Sequence, residues 1–369
     1  MIRVLHVVPT LNINSGIMSV VMNYYRKIDK SKVQFDFLYF GKMKDSHQAE
    51  IEELGGNLYY MGRPSFMPIY QKKLQNFFDK HKGEYLAVHC HPIWASALVA
   101  YAAKKNEVRH IIQHVHSTKY SEKKISAIRN RLLINFISFF ATDYMACNKE
   151  AAQLFGRKIA GNGKVFILPN AIDLHRYEFN ECSRTKIRNE FGASVDTILL
   201  GSVGRLSVEK NQCFIVDVFR SLHEKYPNSK LILVGDGGLR VQIEHKVIEL
   251  GLTDSVIMTG KRTDVGKILS GLDLFIMPSI FEGTPVSAIE ACTSGLPCLL
   301  SDTITRSVDM KGVKYFSIQK SPEEWAEELE KMISKSKNIN RYDYSEVIDH
   351  GFDINTEVVK LEEYYLGLR

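Results

Sequence analysis

The chain has 369 residues, enough for two domains that each bury a core of their own. Its 45% hydrophobic and 24% charged residues, free of biased tracts, exclude a disordered or fibrous protein. The net charge of +6 is unevenly divided: residues 1–175 carry 24 Lys and Arg against 13 Asp and Glu, and the remainder 24 against 29. The first half is therefore the basic half, a property that suits nucleic acid, anionic lipid or a phosphorylated substrate without choosing among them.

The opening run Met1–Val8 reads as a strand, since it lacks the apolar core and cleavage site of a signal peptide. The most apolar window, Leu132 to Ala146, is interrupted by Asn135, Ser138, Thr142 and Asp143, well short of the roughly 20 apolar residues that span a bilayer. The six cysteines form no Cys-x-x-Cys pair, and four of them sit in apolar runs. A cytoplasmic protein with reduced thiols is expected.

Strand-like runs then alternate with amphipathic stretches, the pattern of βαβ units on a mainly parallel sheet. In the first half strands are predicted at Arg3–Val8, Phe35–Tyr39, Asn57–Tyr60, Leu86–His89, His110–His114, Tyr144–Ala146 and Val165–Leu168, with helices between them. Turn formers at Pro169-Asn170-Ala171-Ile172-Asp173 and the polar run to Arg188 predict a linker. A second series follows, with strands at Ile198–Val203, Leu231–Val234, Val256–Met258, Leu274–Met277, Cys298–Leu300 and Val313–Phe316. The fold class is α/β, two Rossmann-like doubly wound domains at residues 1–172 and 173–351. A last helix, within residues 352–369, is expected to pack back on the first domain.

Sheets of this kind present ligands at the carboxyl ends of their strands, so the loops there carry the chemistry. After Leu274–Met277 comes the run from Phe281 through Glu282, Gly283, Thr284 and Pro285 to Glu290 and Ala291. Thr284 is predicted to cap a helix with Pro285 at its first position, leaving backbone N–H groups for an anion. Glu282 and Glu290 would lie about 8 to 10 Å apart along that axis; such carboxylates accept hydrogen bonds from sugar hydroxyls, or else are solvated glutamates around a core helix. After Ile198–Val203, Gly204-Arg205 and Lys210 place a glycine, a fork-shaped cation and a point charge at one strand-to-helix junction, a combination that suits a diphosphate and also occurs on plain helix entrances. The first strand leads into a loop ending Asn14-Ser15-Gly16, with Ser15 as helix cap. Gly235-Asp236-Gly237-Gly238 and Gly260-Lys261-Arg262 follow two further strands, the former without the full spacing of a nicotinamide fingerprint.

His89-x-His91 and His114-x-His116 each put two imidazoles on one side of a strand, but neither pair has an obvious third ligand, so no metal is predicted. His116 is expected to face the cleft between the domains. The basic segment Lys119-Tyr120-Ser121-Glu122-Lys123-Lys124, with Arg129 and Arg131, precedes the apolar Leu132–Phe140. It reads either as a helix on an anionic membrane surface or as a core helix with a charged entrance. Aromatic-basic interleaving of the kind single-strand binders use is absent, so nucleic acid is not an expected partner.

The combination of Gly204-Arg205-x4-Lys210, Val234-Gly235-Asp236-Gly237, Phe281-Glu282-Gly283, Glu282-x7-Glu290 and Pro169–Asp173 resembles glycosyltransferase family 4 of the GT-B fold, over nearly the whole chain. Within that family it is most similar to enzymes of bacterial capsule and exopolysaccharide assembly. The resemblance implies a retaining, metal-independent transfer of a hexose or N-acetylhexosamine, needing no cofactor beyond the nucleotide diphosphate sugar. A uridine diphosphate sugar is the first expectation for the donor, and a carbohydrate or lipid-linked oligosaccharide for the acceptor. By resemblance, Arg205 and Lys210 neutralise the diphosphate, Glu282 contacts the donor sugar and Glu290 the ribose. Gly204, Gly235, Gly283, Thr284 and Pro285 line the donor, Arg262 lies by the base, Gly16 approaches the diphosphate and His116 the transferred sugar. Two departures stand out: Asn170-Ala171 where the family usually has Asn-Gly, and Ser15-Gly16 where Gly-Gly is common. A nucleotide-sugar epimerase or hydrolase on the same scaffold is the rival reading, with a non-catalytic basic binding protein behind it.

Overall fold

The computed structural model describes residues 1–369 except 14, 43, 122, 123 and 337–339, and the side chains of 124, 335 and 336 are likewise left out. Asn14 of the first loop and Glu122 and Lys123 of the basic segment thus lie outside the described residues.

The chain forms two compact units, Met1–Ala171 with Ile354–Arg369, and Ile172–Asp353. The first contains β1 (Ile2–Thr10), β2 (Val33–Gly41), β3 (Leu58–Tyr60), β4 (Ala87–Cys90), β5 (His110–Val115), β6 (Asp143–Ala146) and β7 (Val165–Ile167), ordered 3-2-1-4-5-6-7. The second contains β8 (Ile198–Val203), β9 (Ser229–Val234), β10 (Val256–Gly260), β11 (Leu274–Met277), β12 (Cys298–Ser301) and β13 (Val313–Phe316), ordered 10-9-8-11-12-13. All these pairings are parallel. Strands such as Leu274–Met277 are apolar on both faces because helices cover both, and all four of its residues are buried.

In each unit the strand order reverses beside the first strand, between β1 and β4 and between β8 and β11. Ligand crevices of doubly wound sheets open outside the carboxyl ends of such strands. This singles out the loops after β1, β4, β8 and β11.

The polar run to Arg188, read from the sequence as linker, is a helix, Glu181–Glu190. Asn180 caps it, its side chain accepting from the Ser183 N–H at 2.8 Å. Only Ile187 and Arg188 are buried in it, so it shows little of the apolar periodicity by which a helix is recognised. The chain passes from one unit to the other at Ala171–Ile172 and again at Asp353–Ile354. Next to these passages the Ile172 N–H donates to the Phe352 carbonyl at 2.9 Å. The returning helix Ile354–Gly367 completes the first unit: the Tyr365 hydroxyl meets His89 Nδ1 at 2.6 Å and Tyr364 packs on Phe166.

The helix Lys124–Ile137 leaves part of its apolar surface uncovered. It buries Ile134 and Ile137, while Ile125, Ile128, Leu132 and Phe136 face solvent, Ile125 at 85% exposure, and Phe139 just beyond is 79% exposed. Its solvent side thus carries an apolar stripe. Beside it runs a groove of about 790 Å³ whose lining includes Arg63, Phe66, Trp94, Ile128, Arg129 and Leu132.

Candidate functional site

The loop after β8 begins at Gly204, where a Cβ would lie 3.3 Å from Lys210 Cε, so the bare backbone makes room for the Lys210 stem. The loop ends in a single turn, Val208–Lys210, closed by Asn211 in the left-handed conformation (φ 58°). Gln212 holds its other side, donating to the Arg205 carbonyl at 2.8 Å and accepting from the Ser207 N–H at 3.2 Å. The loop after β11 is tied to it by the Ile280 N–H donating to the Glu209 carbonyl at 2.8 Å and Asn211 Nδ2 donating to the Pro278 carbonyl at 3.3 Å. These bonds bring Lys210 and Glu282 into an ion pair, with the two side chains 23% and 16% exposed. In this structure, therefore, the cation expected on the diphosphate is partnered by the carboxylate expected on the sugar. Arg205 stays 65% exposed, with Glu209 3.8 Å away.

The Glu282 backbone bridges to Ile304, and Thr305 Oγ1 donates to the Gly283 carbonyl at 2.6 Å, so the loop after β12 fixes the approach to the next helix. That helix runs Val286–Thr293, one residue later than predicted. Thr284 is not its cap: Pro285 occupies the N-cap position in extended backbone and no side chain caps the helix. The Thr284 hydroxyl instead accepts from Ser307 Oγ at 3.4 Å. The N–H groups of the first turn still face the region before the helix, as they do at any helix start. Glu290 sits inside the helix, partly buried. Burial pushes its carboxyl up to about 7, against the opposing pull of the Tyr177 hydroxyl, of Arg176 and of Lys210. Lys210 thus acts on both carboxylates.

Gly235 and Gly237 have a packing role. A Cβ on Gly235 (φ +134°) would lie 2.0 Å from the Gly204 carbonyl oxygen, and one on Gly237 2.3 Å from that of Leu206. The glycines let the loops after β8 and β9 press backbone to backbone. Arg262, expected at the base, has its guanidinium held by Asp264 at 2.7 Å and Glu190 at 2.5 Å.

In the first unit Ser15 caps the helix Gly16–Lys27, accepting from the Met18 N–H at 3.5 Å, and a side chain added at Gly16 would meet nothing within 4 Å. The histidine pairs are not isolated, contrary to the sequence reading that gave neither a third partner. The parallel register sets His6 of β1 beside His89 of β4, β5 adds His114, and His116 follows just past its end. His6, His89 and His91 form one group of three with ring nitrogens within 4.8 Å of one another; His91, His114 and His116 form a second. Burial keeps all five rings neutral, taking His116 down to about 4 and His6 to about 3 and the others well below the usual range.

The family described as Glycosyl transferases group 1 matches residues 183–346, the stretch that holds Lys210, Glu282 and Glu290. The protein named as the glycosyltransferase EpsF of Bacillus subtilis (strain 168) is 32% identical over 372 residues, covering 98% of this chain and 96% of its own. The chain belongs to the group 1 glycosyltransferases. The capsular polysaccharide biosynthesis glycosyltransferase CapH of Staphylococcus aureus is 24% identical over 382 residues, 100% of this chain and 99% of its own, so this glycosyltransferase has relatives in polysaccharide biosynthesis. The crystal structure of Anabaena Alr3699/HepE in complex with UDP and glucose has the same fold at a TM-score of 0.81 and 17% identity, covering 99% of each chain. The fold of this glycosyltransferase is GT-B.

Three groups beside the candidate residues went unread in the sequence. Arg176, in the 3-10 turn Leu174–Arg176 that looked like linker, and Tyr177 just after it act on Glu290. The one visible sign was Gly266, where a Cβ would lie 1.9 Å from the Arg176 carbonyl. His6, alone in an apolar strand, carried no signal until the strand order was known.

Proposed function

We propose that this glycosyltransferase moves a hexosyl or N-acetylhexosaminyl group, with retention and without a metal, from a UDP-sugar to a lipid-linked acceptor of surface-polysaccharide assembly. The observation that carries the reading is the Lys210–Glu282 pair at the strand ends of the second unit, beside Arg205 and the start of the helix Val286–Thr293. A diphosphate arriving there takes over Lys210, joined by Arg205 and the helix N–H groups. Glu282 is released at the same moment to accept hydrogen bonds from the donor sugar and to support positive charge on its ring. Two side-chain cations and a helix start supply the charge that a metal supplies elsewhere. Glu290 takes the ribose hydroxyls and His116 the transferred sugar. The Anabaena protein of the same fold, solved with UDP and glucose, supports the uridine donor, and the CapH name supports the pathway class.

The acceptor side rests on the apolar stripe of the helix Lys124–Ile137 and the groove beside it. No helix among the described residues is long and apolar enough to cross a membrane. A surface that joins exposed Ile125, Ile128, Leu132 and Phe136 to Arg63 and Arg129 suits the cytoplasmic face of an anionic bilayer, from which a lipid-linked sugar is taken.

The test is UDP release from a panel of UDP-sugars with and without polyprenyl-diphosphate sugar acceptors, in chelator. Acceptor-dependent release with the anomeric configuration kept is expected, and Lys210→Ala should lower it by about 100-fold or more. Release that ignores every acceptor would assign a hydrolase, and interconversion of the donor sugar an epimerase.

A further inference from the structure

The five histidines of the first unit and Tyr365 are joined end to end. His114 Nδ1 meets His89 Nε2 at 3.1 Å, His89 Nδ1 meets the Tyr365 hydroxyl at 2.6 Å, and that hydroxyl lies 3.5 Å from His6 Nε2. His6 Nδ1 meets His91 Nε2 at 3.0 Å, and His91 Nδ1 meets His116 Nε2 at 2.7 Å. The two ring nitrogens left over, His114 Nε2 and His116 Nδ1, are buried and have no partner among the described residues.

The connectivity fixes the proton count. Five neutral imidazoles and one phenol bring six N–H and O–H protons to five links, so one proton is left over. Each ring donates through one nitrogen and accepts through the other, so the links within each arm point one way, while the phenol donates once and can accept twice. With the phenol donating to one arm and accepting from the other, all five links run the same way, and one end shows an N–H and the other a bare lone pair.

Tyr365 decides the direction. Its 2.6 Å link to His89 has the length of a hydroxyl donor, below the usual span for an N–H donor, while its 3.5 Å separation from His6 is slack. With Tyr365 donating to His89, His89 donates to His114, and the spare proton sits on His114 Nε2. On the other arm His6 carries its proton on Nε2, His91 on Nε2 and His116 on Nε2. His116 Nδ1 is left as a lone pair.

We propose that Tyr365, from the returning helix Ile354–Gly367, is a positioning residue that sets the direction of this chain and so presents His116 Nδ1 as a hydrogen-bond acceptor for a sugar hydroxyl. The identity of the acceptor's partner rests on the reading of His116 as ligand-facing; the direction of the chain does not. A metal held by either group of three is the competing use of these residues. Tetrahedral zinc ligands at 2.0–2.1 Å stand about 3.3 Å apart, whereas the imidazole links here are 2.7 to 3.1 Å and already engage eight of the ten ring nitrogens. The partners of the rings are further imidazoles and a phenol, with no carboxylate to offset a buried double charge. Hydrogen bonding is the better account.

Nitrogen-15 NMR of the imidazole rings, with His116 assigned from the spectrum of His116→Gln, reads the tautomer without substrate or turnover. The expected result is a protonated Nε2 and a bare Nδ1 on His116, moving to a mixture of both tautomers in Tyr365→Phe. If Tyr365→Phe does not fold, His6→Leu cuts the same arm one link on and should give the same mixture. With UDP-sugar, Tyr365→Phe should raise KM for the donor several-fold. A His116 protonated at Nδ1 in the wild type, a tautomer unmoved by both cuts, or one equivalent of zinc retained by the purified protein would each overturn the proposal. Failure to bind any UDP-sugar would overturn the functional reading and leave the tautomer result standing.

Discussion

Replacing Glu290 by Gln separates the charge of this residue from its shape. In the wild type burial raises the carboxyl from 4.5 to about 7, so the folded protein holds a proton that the unfolded chain releases. The sign follows from linkage: the contribution is fully present below about pH 4.5, is lost as pH rises to about 7, and is constant above. At about 1.36 kcal/mol for each tenfold change in the protonation equilibrium, the carboxyl costs the fold about 0.8 kcal/mol at pH 5 and about 3 kcal/mol at pH 8, a change of about 2.5 kcal/mol. Gln cannot ionise, and its amide oxygen can still accept from Tyr177. Urea unfolding of both proteins at pH 5, 6, 7 and 8 should therefore show Glu290→Gln gaining about 2 kcal/mol on the wild type across that range. On the proposed ribose contact, bound UDP should offset the trend in the wild type; its affinity should rise between pH 6 and 8, and in Glu290→Gln it should stay level. Parallel stability curves for the two proteins would refute the assignment of a raised carboxyl to Glu290.

Removing one member of the Lys210–Glu282 pair leaves the other partly buried and unpartnered. Lys210→Ala should thus lower stability by about 1–3 kcal/mol, and the double variant with Glu282→Gln should recover part of that loss while remaining inactive, as read by thermal unfolding and UDP release. Gly235→Ala sets a Cβ 2.0 Å from the Gly204 carbonyl at φ +134° and should cost at least about 1–3 kcal/mol by urea unfolding. The five depressed histidines must each take up a proton on unfolding. Stability should therefore fall as pH drops below about 6.5, by up to about 1.2 kcal/mol per ring between pH 7 and 5.5, measurable by urea unfolding at the two values. Ile128→Glu with Leu132→Glu should abolish flotation on anionic vesicles at low salt while leaving the helix content by circular dichroism unchanged.

The positions of the strands were legible because parallel strands covered on both faces are written as short apolar runs: Ile198–Val203, Leu274–Met277 and Val313–Phe316 begin and end where the sequence placed them. Glu181–Glu190 was not, since a helix that buries Ile187 and an arginine looks polar throughout. At the candidate site, glycines and charges marked the loops at the strand ends that the structure brings together in the second unit. What they could not convey was pairing across loops: that Lys210 lies on Glu282, that Arg262 pairs with Glu190 and Asp264, and that Gly235 meets Gly204 backbone to backbone. The histidines show the same limit most clearly. Two His-x-His pairs are visible in one dimension, but the register that sets His6 beside His89, and the helix that brings Tyr365 between His89 and His6, exist only after folding.

The double passage of the chain also orders its synthesis. Residues 172–353 form an insertion within the first unit, whose closing helix Ile354–Gly367 is translated after all of them. The ribosome must make the whole inserted unit while the nascent sheet of the first unit waits without Tyr365. The inserted unit has its two ends, Ile172 and Asp353, bridged to each other, so it can close on itself before the last helix completes the first unit. A stop codon just before Ile354 would on this account leave the inserted unit sound and the first unit unfinished.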